Sequence, residues 1–131
     1  PQTVMDGAAI LRHQELVRRV PASPFVVGYA VSLAQGSRPQ QPDAPQFVKD
    51  YVEWGAGPRA SQYLILGAKA RTIIQGRYAV SIEDIQALAP SVLGHRIIPN
   101  FKAQAEGLSS LDIAMRLLNE IKPSTNGNEP S

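Results

Sequence analysis

The chain contains 131 residues, a length typical of one domain, and 44% of them are hydrophobic, which is enough for a packed core. Its 13 Lys and Arg against 11 Asp and Glu leave a net charge of +2, without the clustered cationic excess of a nucleic-acid binder or polybasic membrane binder. The absence of cysteine excludes disulfides, thiolate metal sites and cysteine nucleophiles, and it fits a reducing compartment.

Hydrophobic periodicity predicts two helices near the beginning of the chain. Residues 6–19 place apolar side chains at helical spacing, with Asp6 as the N-cap and Pro21 closing the element. A second helix begins after Ser23 and runs to Gly36. Because this helix is apolar on nearly every side but too short to cross a membrane, we expect it to be deeply packed.

The middle of the chain is predicted to hold a short helix and then the central helix. Residues 43–54 begin with a capping-box pattern at Asp43 and stop before Gly55. The central helix covers residues 57–76. Gly67 lies inside it and indicates close approach of a second helix, since glycine there otherwise costs about 1 kcal/mol relative to alanine.

Two S-x-x-D patterns predict the helices of the C-terminal part. Ser81 opens a helix that ends near Pro90, and Ser109 opens the last helix. Between these helices, residues 91–100 are predicted to be irregular or to form one helical turn. Residues 122–131 carry no apolar anchor, so we expect a disordered tail.

The predicted fold is one all-α domain over residues 1–121, a small bundle of five or six helices without a sheet. The sequence contains neither a phosphate-binding loop motif nor a nucleophile elbow. His13 and His95 are far apart and lack metal-ligand spacing, so no metal site is predicted. Glu83 and Asp84 are predicted to lie in the first turn of a helix, where they complement its dipole.

The segment from Gly55 to Arg59 is the most informative part of the sequence. Its G-x-G-x-x-A string follows a helix instead of a strand, which argues against a dinucleotide fingerprint. With Pro58 at the first helical position, Arg59 lies in the first turn, where a cation opposes the helix dipole at a cost of about 0.3–1 kcal/mol. Such a helix start can receive a phosphate group. The alternative is that Arg59 pairs with Glu53 or Asp50.

Four other side chains are candidates for contacts near this turn. Arg38 and Arg96 lie at predicted loop or turn positions, where they contact another domain or subunit or, as we favour, cap helix carbonyls. Trp54 and Tyr63 flank the Arg59 turn. One of these rings could face an adenine, but we favour core packing or docking against another domain.

Several segments of the chain resemble the C-terminal lid domain of MoxR-family AAA+ ATPases. They are LRHQELVRRVPAS, the GAGPRAS segment, the VSIEDIQALAP helix, the GHR turn and AEGLSSLDI, which occur in the family's order over about residues 4–121. The resemblance implies a helical lid that follows an α/β nucleotide-binding domain. It also implies that Arg59 is the second sensor, reaching the γ-phosphate of ATP, while Gly57 and Pro58 shape the helix start.

The same resemblance implies what the full-length protein does. ATP with Mg²⁺ would be bound mainly by the α/β domain, whose Walker motifs have no counterpart in these 131 residues, so the fragment alone is expected to bind no cofactor and to be no enzyme. The family implies a cytoplasmic homo-oligomeric ring, usually hexameric, with chaperone-like work on von Willebrand-type partner proteins. The alternative is a stand-alone helical module that binds protein or nucleic acid. A nucleic-acid role is disfavoured, because the basic residues are spread along the chain.

Overall fold

A computed structural model describes residues 16–123 of the chain. Within that range, residues 16–19 are helical, and six further helices and two short strands follow. In chain order these are α1 (Pro24–Gly36), α2 (Gln46–Tyr51), β1 (Val52–Trp54), α3 (Ala60–Ile74), α4 (Ile82–Gly94), β2 (Ile98–Pro99), α5 (Phe101–Ala105) and α6 (Ser110–Glu120). The predicted all-α class is confirmed. The predicted cap at Asp6 and residues 124–131 of the predicted tail lie outside the described residues.

Helices α1, α3, α4 and α6 enclose the hydrophobic core, while α2, α5 and the two strands form a smaller group packed together. Each of the four core helices contributes at least one large side chain with no exposed surface: Leu33, Leu64, Ile85, Leu93 and Leu117. Full burial of such a side chain contributes about 1.5–3 kcal/mol to folding. No helix among residues 16–123 is long and apolar enough to cross a bilayer.

The helix starts predicted from Ser23, Ser81 and Ser109 are confirmed. The Ser23 hydroxyl accepts a hydrogen bond of 3.2 Å from the Val26 N–H. Ser81 and Ser109 each form a capping box with the aspartate three residues later. These caps satisfy N–H groups that a helix start otherwise leaves without a partner, and so they fix where α1, α4 and α6 begin.

Gly67 lies at the closest contact between α3 and α4, as predicted. A Cβ atom placed there would lie 2.7 Å from the Cδ1 atom of Leu88 on α4. This distance is shorter than a van der Waals contact, so the glycine permits the two helices to pack closely. Arg71 near the end of α3 binds Asp84 in the first turn of α4, and Tyr63 near the start of α3 contacts Arg96 just after α4. The two helices therefore run antiparallel, and the end of α4 lies beside the start of α3.

Helix α4 does not end near Pro90, and the prediction of its end is wrong. The helix continues through Pro90 to Gly94. Proline inside a helix removes one backbone hydrogen bond and costs about 3 kcal/mol. Ala89 and Leu93 on either side of Pro90 are fully buried, so core packing of the last turn offsets that cost.

The predicted capping box at Asp43 is also wrong, because the short helix begins later. Asp43 is exposed, and Pro45 occupies the N-cap position of α2 with φ −56° and ψ 148° and no side-chain hydrogen bond. The proline ring fixes its own φ and disfavours helical geometry in Ala44, the residue before it. The helix therefore starts at Gln46.

The predicted absence of a sheet is contradicted by a small antiparallel pair of strands. Helix α2 stops at Tyr51, three residues earlier than predicted, and β1 pairs with β2, with Trp54 opposite Ile98. Asn100 supports this arrangement, since its backbone N–H donates to the Tyr51 carbonyl at 2.9 Å and its side-chain amide donates to the Asp50 carbonyl at 2.7 Å. These two carbonyls at the end of α2 are thereby satisfied by a residue distant in the sequence.

Candidate functional site

The turn before α3 is held in place from the end of α1. The Ser37 hydroxyl accepts a 2.9 Å hydrogen bond from the Ala56 N–H, and the Arg38 Nε donates to the Ala56 carbonyl at 2.7 Å. Ser37 is fully buried, and its hydroxyl also donates to the Ala34 carbonyl at 2.7 Å. Both backbone polar groups of Ala56 are thus satisfied by two neighbouring residues, which fixes the position of the turn.

Gly55 packs closely against the backbone of Ser37, and this contact permits the bonds between Ser37, Arg38 and Ala56, whereas Gly57 lies in open space. A Cβ atom on Gly55 would lie 2.2 Å from the Ser37 carbonyl oxygen, and one on Gly57 would meet no atom within 4 Å. We expect Gly55→Ala to lower the free energy of unfolding by about 1–3 kcal/mol and Gly57→Ala to change it by less than about 0.5 kcal/mol. Urea denaturation of both variants measures the difference, and equal losses would contradict this account of the turn.

Arg59 is the N-cap residue of α3, so the helix starts two residues later than predicted and Pro58 precedes the cap. Its backbone has helical geometry, with φ −82° and ψ −7°, and the turn is closed by a 3.1 Å bond from the Ala60 N–H to the Gly57 carbonyl. The first α-helical bond runs from the Tyr63 N–H to the Arg59 carbonyl at 3.0 Å. The turn formed by residues 57–60 comes before the regular helix. Local sequence signals do not locate a helix start to within one or two residues.

The Arg59 side chain is exposed and makes no hydrogen bond or salt bridge with any residue in the range 16–123. The alternative pairing with Glu53 or Asp50 is therefore not found. Glu53 is exposed on β1, and the Asp50 carboxylate instead accepts a 3.1 Å hydrogen bond from Gln46. The guanidinium of Arg59 keeps its donors available for an anion.

Arg96 reaches the same end of the bundle from the other side. Its Nη1 donates to the Val92 carbonyl in the last turn of α4 at 3.2 Å, which confirms the predicted capping of a helix carbonyl. Its guanidinium carbon lies 4.4 Å from the centroid of the Tyr63 ring, a cation–π contact. Tyr63 follows Arg59 by four residues and its N–H donates to the Arg59 carbonyl, so Tyr63 lies one helical turn after Arg59. The prediction that Arg38 also caps a helix carbonyl is wrong, because the carbonyl that it binds is that of Ala56 in the turn before α3.

The aromatic residues that flank the turn are not part of the core. Trp54 is 57% exposed and Tyr63 is 42% exposed. Of the two favoured alternatives for these rings, core packing is wrong and docking against another domain stays a prediction. Tyr63 stacks against Arg96 at the surface, and Trp54 lies on the exposed face of the small sheet opposite Ile98.

Three arginines contact or form the segment around the start of α3: Arg59 is its N-cap, Arg38 binds the Ala56 carbonyl and Arg96 stacks on Tyr63. We call these three residues the arginine cluster. The salt bridges found between described residues join Arg71 and Arg77 to Asp84 and Arg116 to Glu120. None of them neutralises a member of the arginine cluster. Within the described part of the chain, no group of three or more His, Asp or Glu side chains could hold a metal ion. Guanidinium groups without a carboxylate partner among residues 16–123 have the chemistry to bind an anion.

Sequence reasoning missed the buried ion cluster around Asp84. This residue lies in the first turn of α4, as predicted, and it is fully buried, which the sequence did not indicate. Its carboxylate accepts hydrogen bonds from Arg71 at 2.5 Å, from Arg77 at 2.9 Å and from the Ser81 N–H at 2.8 Å. Burial raises the pKa of Asp84, but hydrogen bonds from Arg77, Ser81 and Arg71 outweigh it and hold the pKa well below its usual range. The local S-x-x-D pattern predicts only the capping bonds between Ser81 and Asp84. It does not predict that Arg71 and Arg77 bind the same carboxylate.

The family model described as the AAA lid domain matches residues 45–115, which contain the Ala56 turn, α3 and α4. The chain belongs to the AAA lid domain family. It is similar to the crystal structure of a proposed ATPase from Cytophaga hutchinsonii, with a TM-score of 0.76 and 24% sequence identity over 95% of this chain and 45% of that protein. This structural similarity supports the fold.

Comparison with curated relatives indicates which family of AAA+ ATPases has a lid domain like this chain. The chain is 28% identical over 118 residues to Chaperone MoxR1 of Mycobacterium tuberculosis, covering 90% of this chain and 31% of the relative. It is 31% identical to the uncharacterized protein YeaC of Bacillus subtilis, covering 83% of this chain and 31% of that protein, and 32% identical to Protein MoxR of Methylorubrum extorquens, covering 60% and 24%. The resemblance to the lid domain of MoxR-family AAA+ ATPases is confirmed. The chain spans about a quarter to a third of the length of these relatives.

Proposed function

We propose that this chain is the nucleotide-responsive lid of an ATPase and that Arg59 senses the γ-phosphate of bound ATP. The observation that carries the proposal is the exposed Arg59 guanidinium at the start of α3, which has no carboxylate partner among residues 16–123. A cation at a helix start is disfavoured by the helix dipole until an anion arrives. A guanidinium binds phosphate through two parallel hydrogen bonds, which suits it to this task.

The proposal assigns nucleotide binding to two domains. The α/β domain, which would precede this chain, holds most of the nucleotide and the Mg²⁺, and Arg59 completes the site from the lid. Gly57 and Pro58 shape the helix start that presents Arg59. ATP supplies a terminal phosphate whose charge at this position is lost on hydrolysis and release. The lid position therefore differs between the ATP and ADP states.

The wider proposal is a homo-oligomeric cytoplasmic ring, most simply a hexamer, that remodels or matures partner proteins of the von Willebrand type. Support comes from MoxR1, a relative that is itself named a chaperone. Exposed apolar surface on the small sheet, formed by Trp54 and Ile98, is suited to contact a neighbouring domain or subunit. Arg38 and Arg96 border the same end of the lid.

The proposal is tested by comparing the 131-residue chain with the full-length protein. We expect a Walker A motif upstream of this chain, ATP hydrolysis and ring assembly by the full-length protein, and no hydrolysis by the 131-residue chain. Phosphate release and analytical ultracentrifugation measure these outcomes. The full-length variant with its Walker A lysine replaced by alanine serves as the control for contaminating ATPases. Turnover by the 131-residue chain, or a full-length protein without a Walker A motif, would contradict the proposal.

A further inference from the structure

Arg96 is anchored in a way that its role as a helix cap does not explain. A single N–H of its guanidinium reaches the Val92 carbonyl, and one face of the group covers the Tyr63 ring at 4.4 Å. A guanidinium carries five N–H donors, so one edge of the group remains available. Among the described residues no carboxylate pairs with Arg96.

We propose that Arg96 is a second anion-binding residue, and that Arg59 and Arg96 together hold the polyphosphate of the nucleotide. The inference deepens the proposed function and rests on it for the identity of the ligand. The antiparallel packing of α3 and α4 places Arg96, just after α4, beside the start of α3. Tyr63 connects the two arginines, since its ring stacks against Arg96 and its N–H donates to the Arg59 carbonyl one helical turn earlier.

The negative charge of the nucleotide and the restricted conformation of the Arg96 side chain both favour a site with two arginines over a site with one. A nucleoside triphosphate carries several negative charges, and a single guanidinium neutralises only one of them. Stacking on Tyr63 and the bond to Val92 already restrict the Arg96 side chain. Less conformational entropy is then lost when the anion binds, which favours affinity.

Arg116 provides a matched control for this arrangement. Its guanidinium also stacks on an aromatic ring, at 4.5 Å from the Phe47 centroid, and it is exposed. Unlike Arg96, it pairs with a carboxylate, that of Glu120 at 3.3 Å. A substitution at Arg116 therefore removes the same kind of side chain and contact from a place where the charge is already neutralised.

The test is an NMR titration of the 131-residue chain with inorganic tripolyphosphate at fixed ionic strength. We expect shifts centred on residues 59–63 and 96, and we expect Arg96→Gln and Arg59→Gln each to weaken binding about fivefold to tenfold, with Arg116→Gln within about twofold of wild type. Tyr63→Leu should weaken binding as well, because it removes the surface that orders Arg96. Wild-type affinity in Arg96→Gln would overturn the inference.

ATP binding and hydrolysis in the full-length protein separate this inference from the proposed function. Arg96→Gln should raise the Kd for ATP about fivefold and leave the Kd for AMP unchanged. If Arg59→Ala impairs hydrolysis while Arg96→Gln leaves the ATP and tripolyphosphate affinities at wild-type values, Arg96 is only a helix cap and the proposed function stands. If tripolyphosphate binding needs both arginines while Arg59→Ala hydrolyses ATP normally, the anion site is supported and nucleotide sensing is contradicted.

Discussion

Replacing Arg59 with alanine in the full-length protein should lower the rate of ATP hydrolysis about tenfold to a hundredfold. In the proposed role of Arg59, the substitution removes a donor for charge that develops during phosphoryl transfer, and one such donor is typically worth this much or more. Arg59→Lys should restore only part of the rate, because an ammonium group lacks the fork geometry of a guanidinium. Steady-state phosphate release by the three proteins measures the effect.

The same substitution should leave the fold of the 131-residue chain intact. Arg59 is exposed and has no partner among residues 16–123, and its removal relieves the conflict with the helix dipole. The melting temperature should therefore stay near that of wild type. Arg116→Ala in the full-length protein, a control at another exposed arginine, should leave hydrolysis unchanged. Normal turnover in Arg59→Ala combined with a much lower melting temperature would make Arg59 a structural residue.

Features set by neighbours in the sequence were predictable. Ser23, Ser81 and Ser109 each bind the N–H group three residues later, so their patterns located the starts of α1, α4 and α6. Gly67 signalled a close helix contact because glycine inside a helix is otherwise unfavourable. In each case the feature depends on residues that are close together in the sequence, so the local sequence pattern is enough to predict it.

Features that depend on distant residues were not predictable from local pattern. The end of α2 is set by Asn100, which takes the carbonyls of Asp50 and Tyr51, and β1 exists only because β2 pairs with it. Helix α4 passes through Pro90 because Leu93 packs in a core that other helices build. Tertiary contacts override local propensity at these positions.

The candidate site also contains one residue that the sequence indicated and two residues whose contacts it did not predict. Arg59 stands out in the sequence because a cation at a helix start is unusual and because the GAGPRAS segment resembles the lids of one family. The bond from Arg38 to Ala56 joins residues 18 apart, and the stacking of Arg96 on Tyr63 joins a residue just after α4 to one on α3. The spacing of these residues in the sequence does not predict that they contact one another. The contacts follow from the packing of α1, α3 and α4.

The largest loss of stability should follow from Asp84→Ala. Asp84 has no exposed surface and joins the end of α3 and the following loop to the start of α4, through Arg71 and Arg77. Removing one partner of a fully buried ion pair costs about 3–5 kcal/mol. Since the two arginines are about one-third exposed, at 33% and 36%, solvent screening reduces this, and we expect about 2–4 kcal/mol. Asp112→Ala is the matched control, because Asp112 holds the same position in its capping box but is exposed; urea denaturation should give it a much smaller loss.

Asp84 should also make the lid sensitive to acid. The folded state holds the pKa of Asp84 below its value of about 3.9 in an unfolded chain, so the folded form binds fewer protons than the unfolded form. The stabilisation is therefore complete well above pH 4 and declines as the pH falls through 4. Asp84→Asn removes this contribution and keeps the size of the side chain, so the gap in unfolding free energy between wild type and Asp84→Asn should shrink between pH 6 and pH 3. A gap that stays constant over this range would mean that the ionised carboxylate is not what joins α3 to α4.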